Sequence, residues 1–260
     1  MRLRPRRDQP TVRVTQHGDP VDDDLLFVLG WGNKPTHRSV EWLIDRLAYE
    51  GYRVHAVELP TNGWDFDSQY VDPVRAYALD RDIDLVLSHS TGGLVAAHLD
   101  LAVRNVFLSP WWGMSFDGLD GLLFPLFVRM PTTRPFVPSG ISRDALGELK
   151  LAAEVSDAPD NVSPAFLRTI HEAQQSLPPF NRRDVVFVSL SDRVVDVRAI
   201  GDRTPASNLV AYDGGHECFA SEGRERTFSN VLAVLERGVE AVPNADDDAR
   251  DGTERPPSAG

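Results

Sequence analysis

Cysteine is nearly missing from this 260-residue chain: Cys218 stands alone. No disulfide can form within it, and no multi-cysteine metal site is possible. Lysine is almost as scarce. Of the 27 lysines and arginines only Lys34 and Lys150 are lysines. No apolar run approaches the roughly 18 residues that a membrane-spanning helix needs, so no span is expected. The start, MRLRPRRDQP, is basic, but no apolar stretch follows it. It fits neither a secretory nor a twin-arginine signal, and the expected location is the cytoplasm.

Positive charge is also in deficit. Asp and Glu number 39, and the formal net charge is −12. An acidic surface repels phosphate backbones, which argues against nucleic acid as a partner. The Asp-rich, lysine-poor balance has two readings that stand side by side. One is adaptation to high salt; the other is a GC-rich genome whose codons favour Arg.

What is present is ordinary globular composition: 42% hydrophobic and 25% charged residues, with 19 Gly and 19 Pro. The length suits one large domain or a domain with an insertion. Residues 1–10 hold four arginines and little that could be buried. Residues 243–260, PNADDDARDGTERPPSAG, are acidic and rich in Pro and Gly. Both ends are expected to be disordered.

Between them, short apolar runs alternate with helical patterns. Strands are expected at Leu25–Leu29, Val54–Leu59, Leu85–Ser88, Val106–Ser109, Val185–Leu190 and Asn208–Tyr212, with a weaker one at Thr11–Thr15. Their near-continuous apolarity is that of strands buried on both faces. Val40, Leu43, Ile44, Leu47 and Ala48 lie on one helical face, as do Phe228, Val231, Leu232, Leu235 and Val239. This alternation predicts an α/β architecture: a mostly parallel central sheet with helices on both faces, over about residues 11–242. From Trp111 to Asp184 no strong buried strand appears. That segment, with helical patterns near 143–155 and 164–177, predicts an inserted helical cap at about 111–184.

The sharpest chemical signal is Ser88-His89-Ser90-Thr91-Gly92-Gly93, between the run LVLS and a helical run at Leu94–Leu99. A serine at the tip of a strand-turn-helix, with small residues two before and two after it, describes a nucleophile elbow. A glycine-rich turn without chemistry is the plain alternative. Downstream, Asp192 follows VVFVSL and His216 follows NLVAY. Each lies just past the carboxyl end of an expected strand, the edge where open parallel sheets place their ligands. Asp196, four residues on, is a spare carboxylate. Gly30-Trp31-Gly32-Asn33 follows the first buried strand. Acyl transfer needs N–H donors aimed at a developing oxyanion. His89 is expected to point away from the nucleophile and Cys218 to be a small buried filler. Trp111, Trp112, Phe116, Phe124 and Phe127 open the cap and are expected mostly in its core.

These residues resemble the α/β-hydrolase fold superfamily over about 11–242. LGWG at 29–32 is similar to the family's HGWG, with Leu29 in place of His. SHSTGG at 88–93 is similar to GHSMGG, with Ser88 in place of Gly. SDRVVD at 191–196 resembles the acid turn, and GGHE at 214–217 the histidine turn. The resemblance implies Ser90 as nucleophile, His216 as general base and Asp192 as its partner. It implies the backbone N–H groups of Trp31 and Thr91 as oxyanion donors. Ser90 excludes the aspartate nucleophile of dehalogenase relatives. The implied activity is a carboxylesterase or lipase-like acyl hydrolase working through an acyl-serine on a small-molecule ester, with no metal or organic cofactor. Acyl transfer, thioester cleavage or carbon–carbon hydrolysis on the same triad stay open, as does a binding protein with an idle triad. Oligomeric state stays open too.

Overall fold

A computed structural model describes residues 11–19, 21–114, 124–126 and 128–243. The expected basic arm at 1–10 and all but the first residue of the acidic tail at 243–260 lie outside the described residues, as do Phe116 and Phe127. Among the described residues no helix is long and apolar enough to cross a membrane.

In chain order the elements are β1 Arg13–His17, β2 Asp23–Val28, α1 Arg38–Tyr49, β3 Tyr52–Glu58, α2 Asp72–Asp80, β4 Leu85–His89, α3 Thr91–Ala97 and β5 Arg104–Leu108. Then come β6 Val137–Pro138, α4 Arg143–Leu146, α5 Ala152–Asp157, β7 Asn161–Val162, α6 Pro164–Gln175, β8 Val185–Ser189, α7 Val197–Arg203, β9 Leu209–Tyr212 and α8 Arg224–Arg237. Seven strands form one sheet in the order β1-β3-β2-β4-β5-β8-β9. Only β1 runs antiparallel, on the edge beside β3. The remaining pairs are parallel.

Alternation of side chains across the pleat makes two cores. Leu26, Val28, Val86, Phe107 and Val186 face α2, α3, α6 and α7. Leu25, Phe27, Leu87, Val106 and Phe187 face α1 and α8. All seven expected strands are present, so the architecture follows the pattern that predicted it.

Two stretches differ from the expectation. Residues 67–80, where periodicity points to no element, form a π-helical turn at Asp67–Val71 running into α2. The extra residue of a π turn shifts the phase of the buried positions Tyr70, Val71, Val74 and Ala78, which hides their 3.6-residue repeat. The segment between β5 and β8 carries helices α4, α5 and α6 as expected in kind. It also holds a two-stranded ribbon in which Val137 pairs with Val162. Two-residue strands are too short to show a period.

Candidate active site

β4 ends at His89 and α3 begins at Thr91, which leaves Ser90 alone to turn the chain. Its backbone sits at φ 53°, ψ −119°, a conformation a residue with a Cβ rarely adopts. Such strain costs on the order of 1–3 kcal/mol and persists only where the surroundings impose it. Here they do. Ser90 N–H donates to Leu108 O (3.1 Å), and Ser90 O accepts from Gly93, Leu94 and Trp111 N–H at 2.9, 3.2 and 2.9 Å. Gly92 is required by space: a Cβ there would lie 2.1 Å from Val28 O and 2.6 Å from Leu29 O. Ser88, where the family motif has Gly, is fully buried, and its hydroxyl has no hydrogen-bond partner among the described residues.

The turns after β8 and β9 bring the acid and the histidine together. His216 Nδ1 lies 2.7 Å from Asp192 Oδ2, with both side chains buried. The other Asp192 oxygen accepts from Val194 and Val195 N–H at 2.8 and 3.2 Å. Burial pushes the Asp192 pKa up. The His216 charge and these hydrogen bonds outweigh it and hold the carboxyl below its ordinary range. An ionised Asp192 accepts a hydrogen bond from Nδ1–H. Nε2 has no partner among the described residues. Asp196 is engaged elsewhere, because its carboxylate caps α7 and accepts from Arg198 N–H at 2.9 Å.

The turn at 30–33 packs directly on the elbow. A Cβ on Gly30 would lie 2.6 Å from His89 Nδ1 and 3.1 Å from Ser90 Cβ. The Trp31 indole donates to Thr61 O (2.7 Å), so only its backbone N–H is left for a ligand at the elbow. Ser90, Thr91, Trp31 and His216 all line one cavity of about 570 Å³. Asp192 lies behind His216, outside that lining. The rest of the wall is largely apolar, with Met114, Val162, Phe166 and Leu167 from the segment between β5 and β8. Trp111 and Phe124, expected mostly as core of that segment, pack there and also line the cavity. Trp112 does belong to the core, edge-on to Phe107.

Beside these residues lies a polar layer whose contacts, and whose Lys150, sequence patterns did not point to. His89 is buried with its ring 4.7 Å from that of His216. Its Nε2–H donates to His216 O (3.3 Å), and its Nδ1 faces the Asn33 amide at 3.5 Å. Burial first, and then the His216 charge, hold its pKa well below the usual imidazole value. The Tyr212 hydroxyl also grips this turn, 2.9 Å from Gly215 O and 3.0 Å from His216 O. Lys150, Glu217 and Asn33 form a buried hydrogen-bonded cluster beside it. The one available signal was rarity: a lysine in a chain that otherwise uses Arg.

Comparison with known proteins gives the family and the fold. Residues 25–229 match the model of the alpha/beta hydrolase family. The structure is similar to a monoacylglycerol lipase of Paleococcus ferrophilus, at TM-score 0.70 and 15% identity, covering 88% of this chain and 99% of that one. A soluble variant of monoglyceride lipase from Saccharomyces cerevisiae, solved with a substrate analog, gives TM-score 0.69 at 11% identity, with 91% and 94% covered. An esterase from Exiguobacterium antarcticum gives 0.63 at 15% identity, with 87% and 96% covered. No curated protein matches the sequence.

Proposed function

The chain belongs to the alpha/beta hydrolase family, and from that premise we propose that it is a serine hydrolase cleaving a carboxylic ester through an acyl-serine. One observation carries the reading. A strained serine and an imidazole whose free nitrogen has no partner line the same cavity, with the imidazole's other nitrogen 2.7 Å from a buried aspartate.

In this reading Ser90 Oγ attacks the ester carbonyl carbon and His216 Nε2 takes its proton. Asp192 holds the ring in that tautomer and stabilises the imidazolium. Backbone N–H groups of Trp31 and Thr91 receive the oxyanion. The imidazolium returns the proton to the leaving alkoxide, and water, deprotonated by His216, then releases the acid. The largely apolar cavity supports an apolar acyl group, with residues 111–184 as the cap that shapes it. The names of the similar structures, two lipases and an esterase, point the same way.

A fluorophosphonate tests the proposal. It should label the protein at Ser90, and Ser90→Ala should abolish labelling. Labelling that survives the substitution puts the nucleophile elsewhere. A series of p-nitrophenyl esters then reads the cavity: Phe166→Ala or Leu167→Ala should change the ratio of kcat/KM between long and short acyl chains by roughly 10-fold or more. Equal loss at every length would deny the cap a role in selection. The acidic balance is tested apart from catalysis. Salt adaptation predicts a Tm that rises between about 0.05 and 0.5 M potassium chloride as surface repulsion is screened, and a flat Tm leaves the codon reading.

A further inference from the structure

We propose that Lys150, remote in sequence from every residue of the triad, is a positioning residue for the reaction: its buried ammonium joins the histidine turn to the turn that carries Trp31. This rests on the hydrolase reading above. Lys150 is 2% exposed and lies just before α5 in the segment between β5 and β8. Its Nζ donates to Glu217 Oε1 and Oε2 at 3.0 and 2.9 Å and to Asn33 Oδ1 at 3.0 Å. Glu217 follows His216 in the chain and lines the same cavity. Asn33 closes the turn begun at Gly30, its N–H donating to Gly30 O at 3.1 Å. One ammonium therefore bonds to both loops that the mechanism uses.

The geometry explains why a chain so rich in Arg has lysine here. Three acceptor atoms converge on one nitrogen, and a fourth, Glu154 Oε2, stands at 3.9 Å. A compact point donor suits that arrangement, whereas a planar guanidinium would bring five donors into a closed space. The other lysine serves the same seam from outside: Lys34, beside Asn33, pairs with Asp157 at the end of α5 (3.0 Å). Backbone bonds already dock this segment on the histidine turn, from His216 N–H to Ala145 O (3.0 Å) and Glu217 N–H to Leu146 O (2.7 Å). What Lys150 adds is the link to Asn33, and through Asn33 to His89 and the face of His216.

A positioning role makes a prediction that mere support does not. Of the titratable and charged groups around His216, Asp192 touches Nδ1, the His89 ring from β4 lies 4.7 Å away and the Tyr212 hydroxyl from β9 bonds to His216 O; Arg193 and Glu217 line the same cavity, and Cys218 is two residues on. The test alters the Lys150–Glu217 pair and, wherever Lys150 is replaced, its 3.9 Å contact with Glu154. Lys150→Met leaves the buried carboxylates of Glu217 and Glu154 without their cation next to the histidine turn, which favours the imidazolium. Glu217→Gln leaves the ammonium with only the more distant Glu154 carboxylate, 3.9 Å away, and disfavours it.

The experiment compares K150M, E217Q and K150M/E217M, with rates referred to sites titrated by a fluorophosphonate so that unfolded protein does not count. NMR titration of His216 should move to higher pH in K150M and to lower pH in E217Q. The acid limb of kcat/KM should follow it. The double variant removes both charges while the backbone bonds remain. Its titration and Tm should return toward the parent, while kcat stays at least about 10-fold low because the two loops are no longer joined; misplacement by an ångström can cost about 10²-fold. A double variant at the parent rate, or single variants whose titrations move the same way, overturns the assignment of Lys150 alone. Failure of the unaltered chain to label at Ser90 overturns the hydrolase reading and takes Lys150's role with it.

Discussion

Two aspartate–histidine pairs stand at opposite ends of the sheet, and only one of them faces a cavity. His216 and Asp192 sit past the carboxyl ends of β9 and β8, 2.7 Å apart. His55 on β3 and Asp24 near the start of β2 are 2.5 Å apart, and His55 is fully buried. The difference lies in the second ring nitrogen. His55 Nδ1 meets the Tyr77 hydroxyl at 2.8 Å, and Arg53 bonds to Asp24 as well. Arg53's hydrogen bond is the chief reason the Asp24 carboxyl lies below its ordinary range. Both ring nitrogens of His55 are taken, which makes the pair a brace between neighbouring strands. His216 Nε2 has no partner among the described residues and faces the cavity that Ser90 lines. An acid–histidine contact is therefore no sign of catalysis by itself; in the hydrolase reading the sign is a nitrogen left without a partner on the cavity that Ser90 lines.

The sharpest way to break this comparison is to remove each imidazole in turn. His216→Asn should lower kcat by roughly 10³-fold or more, because triad members act as a unit, and leave Tm within a few degrees. His55→Asn should do the reverse. It strips partners from Asp24 and Tyr77, so unfolding should become easier by about 1–3 kcal/mol while titrated sites keep their rate. Ester hydrolysis assays and denaturant melts on both variants decide it. A rate loss at His55 as large as that at His216 would erase the distinction.

The acids come next. Asp192→Asn should cost roughly 10³–10⁴-fold in kcat, since an amide cannot hold the same tautomer. Asp196→Asn keeps a capping side chain on α7 and should cost little in rate and under about 1 kcal/mol in stability. If the effects are exchanged, the carboxylate that serves His216 during turnover is not the one that touches it in this structure.

How far all this was readable from sequence differs between the two ends of the sheet. Each strand buried on both faces shows as an apolar run, and Ser90, Asp192 and His216 lie two, two and four residues past the end of such a run. The strands place them, so local pattern was enough. The brace was not legible. His55 lies inside the run VHAVEL, where one polar residue reads as a blemish, and its partners Asp24 and Tyr77 are 31 and 22 residues away. Lys150 was hidden for the same reason: Glu217 is 67 residues distant and Asn33 is 117. Contacts that cross elements leave no period. Asp192 and Asp196 looked alike in sequence because both cap turns; only tertiary packing sets one against His216.

A buried carboxylate with no imidazole sharpens the comparison further. Asp184, at the start of β8, is 4% exposed and accepts from Asn105 N–H at 2.9 Å. Burial pushes its pKa from the usual 3.8 up to about 6, whereas Asp24, hydrogen-bonded to Arg53 and His55, and Asp192, hydrogen-bonded to His216, go down. A raised acid binds its proton more tightly in the folded state, so its ionisation costs stability as pH climbs from about 4 to about 6. Asp184→Asn cannot ionise. Between pH 4 and pH 8 the stability difference from the parent should move in the variant's favour by about 1–3 kcal/mol, read from denaturant midpoints at the two pH values. A difference that stays constant with pH would mean that Asp184 ionises as freely folded as unfolded.

The smallest expected effect is at a group close in sequence to His216 that takes no part in the proposed reaction. Cys218 is two residues past His216, close enough in sequence to suggest a reactive thiol. It is buried, and burial, followed by the charge of Glu217, pushes its pKa up to about 12. At pH 8 only about one thiol in 10⁴ would be ionised, and thiolate is the form that reacts. Iodoacetamide at that pH should leave both the thiol count and the hydrolytic rate of the folded protein unchanged over hours, with one alkylated cysteine appearing on unfolding in denaturant. His216 and Cys218 would then show within a single turn what separates the two ends of the sheet. Both are buried to a similar degree, but one keeps a free nitrogen at the cavity and the other is closed off in the core against α8. Stoichiometric alkylation of the folded protein with parallel loss of activity would put a nucleophilic sulfur beside the triad, and nearness to His216 would then count for more than closure.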